Sequence, residues 1–187
     1  MNGEGPPVAY DGLARFLHWL TALLVAIVVG LGWALGWTPR NTASRDFVLW
    51  LHRSVGLLVL VAMLLRLLWR WRRRPPPLPE SLPLGAALLA RATHYSLYLL
   101  LILMPLAGYL NAAFEGHAVS FFGLFVLPPL LREDDRLSQF AILVHLAGQY
   151  FLYILIALHL GAAFLHGVVL RDGVVWRMLS PARLRRG

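Results

Sequence analysis

Seven histidines stand in this 187-residue chain, and six of them lie in or beside long apolar runs: His18, His52, His94, His145, His159 and His166. An ionisable side chain in such a run is costly enough to call for a use, and imidazole is the commonest metal-ligating side chain. Spacing narrows the use. His145 and His159 are 14 residues apart, which on an α-helix is ~21 Å of rise and about 40° short of four full turns, so one face carries both. His52 follows Asp46 by six residues and His145 follows Gln139 by six, placing both ~9 Å inside their runs from one side. His18 and His94 each follow an arginine (Arg15, Arg91) by three, ~4.5 Å in from the opposite side, and His159 reaches that same level. Two levels of histidines from different helices are what two stacked b haems with bis-histidine ligation require.

Neighbours one turn away select the ligands, because a porphyrin lying against a helix needs small side chains beside its axial histidine. His52 has Gly56, His145 has Gly148, His18 has Ala22, and His159 has Ala162 and Ala163. His94 has Leu97 and Tyr98, and His166 has Val169 and Leu170. The expected haem-iron ligands are therefore His52 with His145 in an outer pair and His18 with His159 in an inner pair. A zinc or copper site would want three or four ligands at one depth, usually with a carboxylate or thiolate. The chain has no cysteine and no acidic residue within the runs, and Met63 and Met104 are the methionines inside them. Arg66 lies 14 residues after His52, on its face and near the inner level. It is a candidate partner of a haem propionate, a snorkelling side chain being the alternative. Arg53 is the corresponding candidate at the outer level.

Four apolar runs must position these groups, at 16–37, 47–71, 92–114 and 139–170. Each is long enough to cross a hydrocarbon core of about 30 Å, and the first reads as a span rather than a cleaved leader because it is too long and lacks a small-residue exit. Composition agrees: 59% hydrophobic, 14% charged and a mean hydropathy of +0.66, against about 25% charged in soluble domains. The fold class expected is an all-α membrane protein, a four-transmembrane-helix bundle binding two b haems in one membrane domain over 1–187. All 17 basic residues are arginine. With the N-terminus inside, 12 arginines fall on the cytoplasmic side and 5 outside, so both termini are expected to be cytoplasmic and the +8 charge reads as topology rather than nucleic-acid binding. Pro105 and Gly108 predict a kink in the third span. The 115–138 loop, with Phe121, Phe122, Leu124, Phe125, Val126 and Leu127, predicts a short helix in the outer interface; 171–187 forms a cytoplasmic tail.

The sequence resembles the prokaryotic cytochrome b561 family along nearly its whole length. The resemblance rests on Phe16-Leu17-His18-Trp19-Leu20, Leu51-His52-Arg53-Ser54-Val55-Gly56, Val144-His145-Leu146-Ala147-Gly148, Leu158-His159-Leu160-Gly161-Ala162-Ala163, and the closing His166, Arg171-Asp172-Gly173 and Arg177-Met178-Leu179. It implies a di-haem protein of the bacterial inner membrane that exchanges electrons with ubiquinone, and an oxidoreductase activity like that of superoxide:ubiquinone oxidoreductases. It also implies a quinone site at His166, seven residues beyond His159, with His94 and Arg66 as further candidates. Imidazole can both hydrogen-bond a quinone carbonyl and relay its proton. The outer charges sum to zero, five arginines against Asp46, Glu115, Glu133, Asp134 and Asp135, whereas a superoxide funnel should be positive. A periplasmic redox protein is therefore the alternative electron partner, and a haem-free helical transporter or structural membrane protein is the reading from a different class.

Overall fold

The computed structural model describes residues 9–73, 75–78 and 82–179. Four long helices dominate it: α1 (Gly12–Trp37), α2 (Ala43–Arg72), α3 (Leu84–Phe114) and α4 (Asp135–Phe164). All four are long and apolar enough to cross a membrane. All four begin earlier than the charge-free runs, three of them because a side-chain cap, not loss of charge, sets the helix start. Asp11 accepts from the Ala14 N–H at 2.9 Å, Thr42 from Arg45 at 3.3 Å, and Asp134 from Arg136 and Leu137 at 2.9 and 3.0 Å. The α3 helix starts behind Pro83 and runs without interruption through Pro105. After Phe164 the chain passes into a π-helical turn, Leu165–Val169, and ends its described part in the single turn α5 (Trp176–Leu179).

Successive helices pack on one another, α1 on α2, α2 on α3 and α3 on α4. The shared core is Leu24 and Val25 of α1, Val55, Val59, Ala62 and Met63 of α2, Leu101 of α3 and Leu152 of α4. Around it the surface is apolar, with Phe16, Trp33, Phe140, Tyr150 and Phe151 all exposed. In water such a surface would aggregate; in a bilayer the helices satisfy their own backbone groups and the lipid covers the rest.

Both ends of the described chain meet at one end of the bundle. The Tyr10 N–H donates to the Arg177 carbonyl at 3.2 Å, Arg177 donates to the Pro77 carbonyl at 2.7 Å, and the Trp69 indole donates to Asp11 at 3.1 Å. Arg74, Arg183, Arg185 and Arg186 of the expected cytoplasmic arginine set lie outside the described residues. At the opposite, loop end the structure corrects the expectation of a short interfacial helix: the segment is an antiparallel hairpin of β1 (Val119–Phe121) and β2 (Phe125–Leu127), with Val119 opposite Leu127. Aromatic and β-branched residues favour strands, and a run this short cannot support a stable helix. Phe122 and Gly123 turn the chain with φ of 50° and 73°, positive at both positions as in a type I′ turn.

Candidate functional site

At the loop end, His52 on α2 and His145 on α4 face each other, their ring centroids 6.0 Å apart and their planes at 77°. The Nδ1 of His52 donates to the Val28 carbonyl at 3.1 Å and the Nδ1 of His145 to the Met104 carbonyl at 2.9 Å. A carbonyl can only accept, so each ring carries a proton on Nδ1, and the neutral ring then keeps its lone pair on Nε2. This is the tautomer a metal-ligating imidazole adopts, its other nitrogen bonded to a second-shell acceptor. A cleft opens beside the pair, with Val28, Gly32, Gly56, Leu101 and Gln149 in its walls. A Cβ placed on Gly56 would meet nothing within 4 Å. Gly148 differs: the space beside it is filled by the Met104 thioether. Arg53 lines a smaller cleft next to both histidines, within electrostatic reach of Glu115.

Three histidines gather at the terminal end. The His18 ring lies 6.1 Å from His159, and His94 lies 5.5 Å from His159. The fold thus brings His94 as near to His159 as His18 is, although the small-neighbour argument sets it apart. Arg66 turns inward instead of snorkelling: its guanidinium donates to Nδ1 of His18 at 2.9 Å and lies 5.2 Å from the Tyr98 ring centroid. Arg70 stands over the same ring at 5.5 Å. One turn before His18, the Arg15 Nε is buried without a hydrogen-bond partner among the described residues. Half-buried guanidinium groups are costly to leave without a carboxylate, and Arg15, Arg66 and Arg70 gather at this end of the bundle.

The remaining predicted residue, His166, lies in the π-helical turn with its Nδ1 2.5 Å from an Asp172 carboxylate oxygen. Sequence reasoning missed three features here. Gly32 and Gly108 sit against the rings of His52 and His145, a Cβ on either falling 3.5 or 3.4 Å from the imidazole. Glycine inside an apolar helix was the available signal. Asp172 and Tyr98 had no role either, and neither has a spacing that links it to its partner.

Facing histidines at both ends of a four-helix membrane bundle point to a class, the b-type haem electron carriers. Comparison with known proteins resolves the class to a family. The model of the prokaryotic cytochrome b561 family matches residues 9–181. Cytochrome b561 homolog 2 of Escherichia coli (strain K12) is 32% identical over 97% of both chains. The probable superoxide oxidase CybB of Yersinia pestis is 32% identical over 93% of this chain and 97% of its own. A second Escherichia coli relative, cytochrome b561 homolog 1, is 29% identical over 88% of this chain. The protein belongs to the prokaryotic cytochrome b561 family: a multi-pass bacterial membrane protein that binds b haem and transfers electrons.

The residues present fit that cofactor. Two imidazole nitrogens sharing a first-row metal each stand about 2 Å from it, which leaves ring centroids roughly 6 Å apart, the separation of both pairs. The pair at the loop end is already in the ligating tautomer. At the terminal end, Arg66 occupies Nδ1 of His18, so that ring must give up its contact with the guanidinium to ligate through Nε2.

Proposed function

We propose that the protein carries electrons across the bacterial inner membrane through two b haems and exchanges them with ubiquinone. The single observation that carries this reading is the pair of facing histidine sets, one at each end of the bundle. His52 and His145 would hold the outer haem, His18 and His159 the inner one. When bound, each haem supplies a one-electron carrier, and the two levels are ~21 Å apart along α4.

The chain's own residues do the rest. Val28 and Met104 fix the tautomer and orientation of the outer imidazoles through their carbonyls, and such second-shell bonds also raise ligand basicity. Gly32, Gly56 and Gly108 keep the helix faces low beside the rings. Arg66 and Arg15, whose Nε is unpartnered among the described residues, would supply cations at the inner level for acidic groups of the cofactor, and Arg53 would do so at the outer level. A carboxylate is a stronger partner for Arg66 than a neutral imidazole, so its capture would free His18. His166 at the inner end, with His94 and Arg66 nearby in depth, would hold the quinone oxygen and handle its proton.

Two electron donors at the outer face remain to be separated. Arg53 beside the outer cleft and the likeness to a relative named a probable superoxide oxidase favour superoxide. The exposed Leu124, Phe125, Val126 and Leu130, next to Glu133, Asp134 and Asp135, favour a periplasmic redox protein. Stopped-flow mixing of the oxidised protein with superoxide distinguishes them: haem reduction at near-diffusional rate supports the first, no reduction the second. For the haem assignment, a pyridine haemochrome assay should return two haems per chain. His52→Ala or His145→Ala should remove one haem, His18→Ala the other, and His94→Ala neither; loss of the inner haem in His94→Ala with retention in His18→Ala would exchange their roles.

A further inference from the structure

Irregular backbone marks the place where α4 ends. Leu165–Val169 form a π-helical turn, a feature that is rare and concentrates at functional sites. Two residues later Arg171 takes φ of 51°, a left-handed conformation that costs a non-glycine residue energy, and Gly173 follows at 83°. These consecutive departures reverse the chain beneath the helix end and bring Asp172 back to His166. The Asp172 carboxylate then divides its work. One oxygen accepts from the Val174 N–H at 3.1 Å, and the other lies 2.5 Å from Nδ1 of His166. The His166 side chain is 16% exposed and the Asp172 side chain 32%, so the imidazole is mostly covered while the carboxylate keeps contact with water.

We propose that Asp172 is the positioning residue for His166: it holds the proton of that imidazole on Nδ1 and so turns Nε2 toward the quinone oxygen. The inference rests on the quinone reading above. In quinone reduction, protonated His166 gives up its Nε2 proton: the N–H bond breaks and an O–H bond forms on the quinone as an electron arrives from the protein's electron-transfer chain. Nδ1–H stays bonded to Asp172 throughout, and Nε2 is reprotonated from water at that end of the bundle. A second electron and proton complete the quinol, and quinol oxidation runs the same transfer backwards. The aspartate does not touch the quinone. It fixes which nitrogen does.

Asparagine makes a sharp test because Asp172 uses both oxygens as acceptors and an amide has only one. If the amide oxygen keeps the Val174 N–H, the NH₂ faces His166 and donates to Nδ1, which moves the ring proton to Nε2. The assay is re-oxidation of the dithionite-reduced, haem-loaded protein by a soluble ubiquinone analogue. Asp172→Asn should lower the maximal rate by at least ~10-fold, a fraction of what a proton-transfer group contributes, with KM within about two-fold. Asp172→Ala, which leaves Nδ1 unpartnered, should also be slow. Haem spectra and melting temperature check that both variants are folded. Independently of any variant, ¹⁵N NMR of the reduced wild-type holoprotein, with the His166 signals assigned by difference from His166→Leu, should show the Nδ1–H tautomer. A wild-type Nε2–H tautomer overturns the proposal, as do normal rates in both Asp172 variants alongside a slow His166→Leu. Normal quinone kinetics in His166→Leu would instead overturn the quinone reading itself.

Discussion

Ser54 is fully buried on α2, and its hydroxyl is the clasp of the β1–β2 hairpin. It donates to the Ser120 carbonyl at 3.1 Å and accepts from the Phe122 N–H at 3.1 Å. Phe122 has a positive φ, a strained state for a bulky residue, so the clasp also holds a turn that would otherwise relax. Ser54→Ala removes both bonds and takes the partner from two part-buried backbone groups. Each such group costs about 1–3 kcal/mol; both bonds are long, so the lower half of each range applies and the expected loss is about 2–4 kcal/mol. The loss should be local, because the hairpin touches the bundle mainly through α2. Hydrogen exchange in nanodiscs reads it directly: protection of the 119–127 amides should fall roughly 30- to 900-fold, while α1 and α4 are unchanged. Val119 lines the cleft beside His52, Arg53 and His145, so an open hairpin admits water there. The midpoint potential of the haem proposed at that pair should shift and that of the inner haem stay. A protection change under about three-fold would refute the clasp, and a shift of the inner haem alone would refute the link to the outer histidines.

Two further outcomes follow from individual contacts. Gly108→Val should halve the haem content, since a Cβ there already falls 3.4 Å from the His145 ring and two further methyl groups cannot be placed without turning the imidazole; full haem content in the pyridine haemochrome assay would show that the ring has room to move. At Asp11, burial pushes the carboxyl upward, but hydrogen bonds from Ala14 and Trp69 outweigh it and hold the group below its ordinary value. A lowered folded-state pKa gives stability that is fully present above the ordinary carboxylate range and is lost as pH falls through the lowered value. Trp69 fluorescence should therefore stay constant from neutral pH through the ordinary carboxylate range and change only below it, a change that Asp11→Asn abolishes.

The division between what the chain spells out and what the fold adds is visible residue by residue. Four apolar runs and the 14-residue interval between His145 and His159 were legible because bilayer thickness and helix periodicity act locally, on one segment at a time. Small residues one turn from a histidine were legible for the same reason, and Gly56 indeed leaves open space. The same argument misread Gly148, whose space is taken by Met104 from α3, a residue 44 positions earlier in the chain. It also gave no warning that His94 would approach His159 as closely as His18 does, since depth along a helix says nothing about which face a neighbour presents. The hairpin was misread as a helix because its decisive bond comes from Ser54, 66 residues before Ser120.

The sequence by itself determined the class of protein, the number of apolar helices and the histidines worth counting, because hydropathy and periodicity are properties of contiguous residues. Only the tertiary structure decided which nitrogen each imidazole offers. The tautomers of His52 and His145 follow from carbonyls on other helices, the state of His18 from Arg66, and the bond of His166 from an aspartate returned by a π-helical turn and a left-handed residue. A hydrogen bond depends on the distance and direction between two groups, and for residues far apart in the chain those are set only when the helices pack.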